Sequence, residues 1–383
     1  MRICYIGWAD YPHVQRWAKW FAARGHDVHI LSHQSPSLNG IILHDIRPAR
    51  SGASRLGRLL RGELNISAAY WLRTALRVRQ LVGAIQPDIL HSHSLYYPGY
   101  MGAVAGFQPY VITAWNYDDV TLEYAPHALT RPFRRLFARY ALGRARLVTG
   151  ISQNLVRALL QARSPRDRTI TFNWGATLDL FNPLRPRRDA RRILGLPEDD
   201  PVVLSTRNID ETRNVETIVR AIPEVVRRVP RVRFLFTWNY AQPGLLRRVQ
   251  QELQRQGLQD RVQWVGRVPH EDLAVYYQAA DVFVSLALWD SGPISMLEAM
   301  ACGAVPVMGT LPSVREWIED GVNGYLVFQR DVAQVAEAIV HVLQRPDVHE
   351  EMACRNWRTV QERANFDERM GFMEQQYRAL TVQ

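Results

Sequence analysis

Trp289-Asp-Ser-Gly-Pro-Ile-Ser-Met-Leu-Glu-Ala-Met-Ala-Cys-Gly303, followed by Ala304-Val-Pro-Val307, is the stretch that organises the reading of this chain. A β-like run ends before it at Ser285, a loop holds Asp290 to Pro293, and a helix is expected to begin near Ile294 or Ser295 and to stop at Gly303. Strand, helix and renewed strand make the crossover unit of an α/β sheet. The loop and first helical turn present backbone N–H groups at the positive end of a helix dipole, a natural seat for a diphosphate. Glu298 falls one turn into the helix and Asp290 lies in the loop, so two carboxylates can flank a ligand from different directions. On spacing alone they read more readily as two unrelated surface acids.

Working outward, β-like runs alternate with amphipathic helical runs along nearly the whole chain. Arg2 to Ile6 reads as a buried strand, after which Val14, Trp17, Ala18 and Phe21 recur at the i, i+3, i+4, i+7 spacing of one helix face. Gly25 ends that helix and Val28 to Leu31 resumes as strand. Further strands are expected at Ile89 to His91, Tyr110 to Thr113 and Leu147 to Thr149. The pattern pauses at Asn182-Pro-Leu-Arg-Pro-Arg-Arg-Asp189, where prolines and charges interrupt it as a linker would. A second series follows at Val202 to Ser205, Arg233 to Phe236, Val262 to Val265, Val282 to Ser285 and Val305 to Met308. The expected fold class is α/β, with two doubly wound, Rossmann-like domains facing across a ligand cleft at the carboxyl ends of their strands.

Composition agrees with that outline. The length of 383 residues accommodates two domains, and 47% hydrophobic with 22% charged residues excludes a disordered, collagenous or coiled-coil chain. Lys plus Arg number 47 against 37 Asp plus Glu, a net charge of +10 that favours acidic partners. Lys19 is the only lysine, so nearly every cation is an arginine, whose planar fork binds phosphate in bidentate fashion. A genomic base bias would produce the same skew. Cys4, Cys302 and Cys354 form no C-x-x-C pair, so neither a disulfide framework nor a zinc site is indicated. Neither a signal peptide nor an apolar stretch long enough to span a membrane is evident, and the expected location is cytoplasmic, with peripheral contact at the inner face of the plasma membrane kept open.

Several motifs in the same order carry a resemblance. The segment from Asp290 to Gly303 resembles the signature of retaining glycosyltransferases of family 4, of the GT-B fold, in which two glutamates bracket seven residues and run into an E-A-M-A-C-G helix and a P-V strand. Arg24-Gly-His-Asp-Val28 is similar to the family's R-G-H-x-V, Asp88-Ile-Leu-His-Ser-His93 to its D-x-x-H-x-H, Val265-Gly-Arg-Val268 with Tyr276 to Val284 to the segment around the nucleobase, and Asp320-Gly-Val-Asn-Gly-Tyr-Leu-Val327 to its D-G-x-N-G-x-L-V strand. Trp115 to Asp118 and Arg315-Glu-Trp317 resemble the W-x-x-D and R-E-W segments of one subgroup.

The resemblance implies an acceptor-binding domain over 1–175, completed by a C-terminal helix over 365–383, a linker over 176–190 and a nucleotide-sugar donor domain over 191–364. It also implies transfer with retention from a nucleoside diphosphate sugar, UDP being commonest, to an acceptor hydroxyl, with no metal or other cofactor. Arg207 and Arg213 match the family's diphosphate-binding basic pair, the second with arginine where lysine is usual. Val268, Ser291, Gly292, Pro293, Ile294, Ser295 and Glu298 are expected around the donor, Glu298 accepting from the ribose and Asp290 orienting the sugar. Asp290, Glu298, His93 and Asp118 are the catalytic candidates, and His13, Trp115 and Asn116 the acceptor contacts. Asp118 could equally cap a helix. Alternation along the strand is read as turning only one of His91 and His93 toward the cleft, His93 being the better placed.

This sequence also departs from the pattern. Asp290 stands where the family has glutamate, one methylene shorter, and Ala9-Asp-Tyr-Pro-His13 replaces a glycine-glycine loop. Those departures keep one rival in view, a catalytically inactive GT-B protein that binds a glycan or nucleotide; a second rival is another GT-B enzyme, a nucleotide-sugar epimerase or a phosphorylase, the latter disfavoured by the single lysine, Lys19. The expected partners are a nucleotide sugar and a sugar or lipid-linked acceptor, with anionic membrane as a further candidate and nucleic acid excluded for want of any binding motif. Ser54 to Arg61 and Arg131 to Arg139 interleave arginine with leucine and phenylalanine, as either a solvated helix over the core or an interfacial helix does.

Overall fold

The computed structural model describes residues 1–33, 36–47, 63–117, 120 and 131–382, with backbone alone for 63–69 and 131–133. Ser54 to Arg61 and Asp118 lie outside the described residues. The chain divides into two compact units, Met1–Phe172 with Met370–Gln383 and Asn173–Arg369. The stretch 176–190 read as linker thus belongs to the second unit, and its last residues open a helix at Arg187.

In the first unit the elements run β1 (Arg2–Ile6), α1 (Pro12–Ala23), β2 (Asp27–Ser32), β3 (Ile41–Asp45), α2 (Glu63–Ile85), β4 (Ile89–His93), α3 (Tyr97–Ala105), β5 (Tyr110–Ala114), α4 (Arg131–Arg144), β6 (Leu147–Gly150), α5 (Gln153–Gln161) and β7 (Thr169–Thr171). All seven strands pair in parallel, in the order β3-β2-β1-β4-β5-β6-β7. Parallel strands covered on both faces must be apolar throughout, and β1, β4, β5 and β6 are buried along nearly their full lengths. Helix α1 buries Val14, Trp17, Ala18 and Phe21 as its spacing predicts, and Trp20 besides. Residues 370–383 add Tyr377, whose ring stacks on Phe21 with centroids 5.2 Å apart.

The second unit runs α6 (Arg187–Ile193), β8 (Val202–Ser205), α7 (Val215–Arg228), β9 (Arg233–Thr237), α8 (Pro243–Arg255), β10 (Val262–Gly266), α9 (Leu273–Ala279), β11 (Val282–Ser285), α10 (Ile294–Ala301), β12 (Val305–Gly309), β13 (Tyr325–Val327), α11 (Val332–Gln344) and α12 (Pro346–Arg363), with α13 (Phe366–Thr381) beginning here and ending in the first unit. Its sheet is again parallel, in the order β10-β9-β8-β11-β12-β13. Ile218, Ile222 and Val225 of α7 pack with Val335, Ile339 and Val342 of α11 in the core. Two glycines are required by geometry. Gly303 sits at φ +85°, the left-handed turn that stops α10 after Cys302. Gly175 sits at φ +70°, and a Cβ there would lie 1.8 Å from the Ala364 carbonyl oxygen, where Ala176 N–H and Phe366 N–H pair with Ala364 and Ala176.

Each sheet reverses its strand order once, between β1 and β4 and between β8 and β11. In doubly wound sheets ligands bind beyond the carboxyl ends of the strands at that reversal. The loops there are 7–11 and 94–96 in the first unit, and 206–214 and 286–293 in the second.

Candidate active site

In the second unit the reversal brings together residues distant in sequence. Arg207, two residues past β8, donates from Nη2 to Asp290 Oδ2 at 2.6 Å and from Nη1 to Ser295 Oγ at 3.1 Å. Asp290 Oδ1 in turn accepts from the Gly292 N–H at 3.1 Å, and Ser313 Oγ donates to the Asp290 carbonyl at 2.6 Å, so the loop before α10 is tied from three sides. Arg213 donates from Nη1 to the Trp289 carbonyl at 3.2 Å, and its guanidinium lies 4.9 Å from the centroid of the Trp289 ring. Burial first, and the like charge of Arg207 second, push the pKa of Arg213 down. Helix α10 starts at Ile294 after Pro293, whose side chain offers no cap, and carries no acidic residue in its first turn. Two guanidiniums and a helix start therefore converge at one place, each able to stabilise an anion. Three of the five N–H donors of Arg207 have no partner among the described residues.

One turn into α10, Glu298 is 3% exposed. Its Oε1 lies 2.8 Å from His270 Nε2 and its Oε2 3.4 Å from the Tyr277 hydroxyl, which lies 3.0 Å from Thr206 Oγ1. A carboxylate only accepts, so His270 donates through Nε2–H. Burial, then the Glu298 charge, raises the Tyr277 pKa well above that of an ordinary phenol. Val268, half-buried, lies two residues before His270 in the loop after β10. The buried hydroxyls of Ser205 and Ser285, at the ends of β8 and β11, have no hydrogen-bond partner among the described residues.

In the first unit, His13, His93 and Trp115 form one aromatic cluster. The His13 and Trp115 rings meet edge to face at 5.4 Å, and Trp115 and His93 at 5.2 Å. His91 and His93 stack with centroids 4.4 Å apart, which corrects the expectation that only one of them faces the cleft side: residues two apart on a strand share a face. His91 bonds Tyr377 Oη through Nδ1 at 2.5 Å and Thr113 Oγ1 through Nε2 at 2.8 Å. Neither ring nitrogen of His93 has a partner among the described residues, and it is fully buried against Tyr5 and Trp17. Burial, with the like charge of His13, pushes its pKa down to about 3, so the imidazole is neutral. Asn116 is exposed beside this cluster. The loop that replaces glycine-glycine is held by the Ala9 N–H donating to Ser32 Oγ at 3.0 Å and by Gln15 Nε2 donating to the Ala9 carbonyl at 2.8 Å.

Two family models cover most of the chain: one described as glycosyl transferases group 1 matches residues 186–357, and one described as glycosyl transferase 4-like matches residues 2–154. The chain belongs to the group 1 glycosyl transferases. Among curated relatives of this family, the D-inositol 3-phosphate glycosyltransferase of Thermobispora bispora is 27% identical over 307 residues, covering 75% of this chain and 69% of that protein. Among solved structures, sucrose-phosphate synthase from Thermosynechococcus elongatus superposes with a TM-score of 0.81 at 23% identity, over 100% of this chain and 99% of the other. The Anabaena HepE protein in complex with UDP-glucose superposes with a TM-score of 0.78 at 17% identity, over 99% and 100%. The fold is GT-B, as the resemblance implies.

Against the family pattern, Arg207, Asp290 and Ser295 make one bonded cluster, and Arg213 joins it through Trp289. His270, Tyr277 and Thr206 were not singled out in the sequence, although His270 falls between the segments 265–268 and 276–284 and Tyr277 lies inside the second. Only contacts mark them: those of His270 and Tyr277 with Glu298, and that of Thr206 with Tyr277.

Proposed function

We propose that the protein is a retaining glycosyltransferase that moves a sugar from a nucleoside diphosphate sugar, with UDP the expected nucleotide, to an acceptor hydroxyl in glycan, glycolipid or polysaccharide synthesis. The observation that carries this reading is the convergence of Arg207 and Arg213 on the start of α10, with Glu298 one turn inside. Chemistry at that point needs a group that stabilises charge as it develops on the departing diphosphate, and guanidiniums with a helix start supply it without rearranging. Glu298 accepts from the ribose hydroxyls, while Asp290, held by Arg207, addresses the donor sugar. The acceptor oxygen attacks on the leaving-group face, forming the new glycosidic bond as the bond to the diphosphate oxygen breaks, and its proton leaves with that oxygen. No cofactor enters this reading. The complex of the structural neighbour HepE with UDP-glucose supports the donor class. His13, His93, Trp115, Asn116 and Asp118 are assigned to the acceptor side.

The test is a calorimetric panel of UDP, GDP and ADP and their common hexose derivatives against the purified protein. We expect one nucleotide sugar to bind, and to be turned over once its acceptor is supplied. Binding without transfer to any acceptor would favour the inactive rival, and conversion of the donor alone would favour an epimerase.

The reading extends to where the acceptor is met. In the first unit α3 packs against both α2 and α4. On α2, Leu72 and Leu76 are exposed beside Arg73, Arg77 and Arg79, and on α4, Leu136, Phe137 and Tyr140 beside Arg135, Arg139 and Arg144. Arg131 to Arg139 thus leaves apolar side chains in solvent, which a helix merely covering the core does not require. Exposed apolar residues among arginines suit the interface of an anionic bilayer, each cation there contributing about 1 kcal/mol. No helix among the described residues is long and apolar enough to cross a membrane. The protein should float with phosphatidylglycerol vesicles and not with phosphatidylcholine ones, and Leu136→Ser with Phe137→Ser should abolish flotation. Equal flotation with both lipids, or none, overturns the membrane assignment.

A further inference from the structure

We infer that the first unit carries an aromatic subsite, separate from the His13–Trp115 cluster, that takes a six-membered polyol ring of an acceptor built of more than one ring; the inference rests on the assignment of the acceptor to this unit. The subsite is a cavity of about 270 Å³. Gly7, His33 and Ile46, each the first residue past β1, β2 and β3, place it beyond the carboxyl ends of three neighbouring strands. Trp8 from the loop after β1, Tyr70 and Trp71 of α2, and Tyr97 at the start of α3 complete the lining. The rings brace one another. Trp71 lies on Tyr97 with centroids 3.5 Å apart, Tyr70 meets Trp71 edge to face at 5.5 Å, and the His33 ring lies 6.1 Å from Tyr70 and 6.3 Å from Trp71. Trp8 is stacked by Tyr11 at 5.4 Å, and no other ring among the described residues touches it, so its second face is clear of rings.

A polyol ring presents an apolar C–H face, which suits an aromatic plane, and an edge of hydroxyls that need hydrogen-bond partners. The cavity offers both. Its aromatic side chains are half-buried, and the side chains of Trp8, His33 and Trp71 make no hydrogen bond among the described residues. Burial lowers the His33 pKa below the ordinary histidine value, so the neutral imidazole offers one N–H and one acceptor nitrogen, beside two indole N–H groups. A wholly apolar occupant would cover those polar atoms without pairing them, which is unfavourable. An anion would find no arginine or lysine in the lining. The volume lies just below that of sites for drug-sized ligands, which suits a single ring and its hydroxyls. Position supplies the second ring. His93 lies on β4 and Trp115 just past β5, whereas the cavity is centred on β2, two strand spacings or about 10 Å from β4. A ring held there belongs to a different sugar or cyclitol of the acceptor from the one that meets the His13–Trp115 cluster.

The experiment is saturation-transfer difference NMR at millimolar ligand. The probes are the methyl glycosides of glucose, galactose, mannose and N-acetylglucosamine, myo-inositol, the disaccharides maltose, cellobiose and lactose, and cyclohexanol as an apolar ring of the same size. We expect wild type to bind at least one disaccharide more tightly than its monosaccharide, with the strongest transfer to the C–H protons of one ring face. Trp8→Ala should weaken that disaccharide by about two- to tenfold, the size of one lost aromatic contact, and Trp8→Phe should keep most of the affinity. If the alanine variant folds poorly, Trp71→Phe decides: it keeps a ring against Tyr97, removes the indole N–H, and should weaken the disaccharide while leaving cyclohexanol unchanged. The inference is wrong if wild type binds none of these saccharides, if cyclohexanol binds as well as the best of them, or if disaccharide affinity is unchanged in a folded variant. Nucleotide-sugar binding, measured alongside, should be the same in wild type and Trp8→Ala. Saccharide binding with this pattern in a wild type that takes no nucleotide sugar would remove the transferase reading and leave the subsite standing.

Discussion

Arg207→Ala should weaken binding of the nucleotide sugar, and its kcat/KM, by about two to three powers of ten, consistent with about 1.5–3 kcal/mol for each lost charge-assisted hydrogen bond to a diphosphate. The structure adds a second cause. Arg207 holds Asp290 at 2.6 Å and Ser295 at 3.1 Å, so its removal also releases the loop carboxylate and the first turn of α10. Both the anion ligand and the geometry of its seat are lost together. Arg207→Lys separates the two, because an ammonium keeps the charge but cannot make the fork to Asp290 and Ser295 at once. It should recover only part of the affinity. Arg213→Ala should cost less, since Arg213 supports the Trp289 backbone and ring and does not touch Asp290 or Ser295 in any bond seen here. Calorimetry with the nucleotide sugar found in the panel checks all three, and an unchanged Kd for Arg207→Ala would refute the donor assignment.

The second large effect is on stability, at the amino ends of the strands of the same sheet. Asp281, just before β11, accepts from Arg191 Nη2 at 2.6 Å and from the Val202 N–H at 2.7 Å, and Arg187 Nε lies 3.6 Å from its other oxygen. Arg191 also donates to the Ala279 and Glu198 carbonyls, and Arg187 to the Ala280 and Gly303 carbonyls, so two arginines from α6 stitch the amino ends of β8, β11 and β12 around one carboxylate. The Arg191 side chain is 7% exposed and that of Asp281 19%. Removing one partner of a buried pair strands the other charge, at a cost of about 3–5 kcal/mol. Asp281→Ala should therefore lower the thermal midpoint by about 6–20 °C for a unit of this size. The proposed nucleotide site lies beyond the carboxyl ends of the strands, so the folded variant should bind nucleotide with unchanged affinity at low temperature. A melting curve with and without ligand separates the two outcomes, and an unshifted midpoint would show that the carboxylate is dispensable.

The central strands and the segment 289–303 were legible because their signals are local. A strand buried on both faces is a run of apolar residues, and a helix start is a composition and a spacing, neither of which depends on what packs against it. The edge strands β3 and β7 were not legible, since Ile41–Asp45 is partly exposed and ends in His44 and Asp45, and Thr169–Thr171 is three residues long. Misreading of His91 and His93 had a different origin: the period of a strand is two, so both rings fall on one face, and packing then gives them different partners. His91 is bonded on both nitrogens, and His93 is enclosed among rings with no partner among the described residues.

By itself the sequence determined the α/β class, the two series of strands, the helix start at which a diphosphate is proposed to sit and the two arginines proposed to meet it. The tertiary structure alone decided which side chains share that seat. Arg207 reaches Asp290 and Ser295 across more than eighty residues, and His270 and Tyr277 reach Glu298, with Thr206 at the end of β8 bonded to Tyr277, where β8 and β11 lie side by side and the strand order reverses. Periodicity reports which face a residue is on within its own element. It carries nothing about which strands become neighbours, and at a reversal of strand order that adjacency is what brings the ligand-binding side chains together.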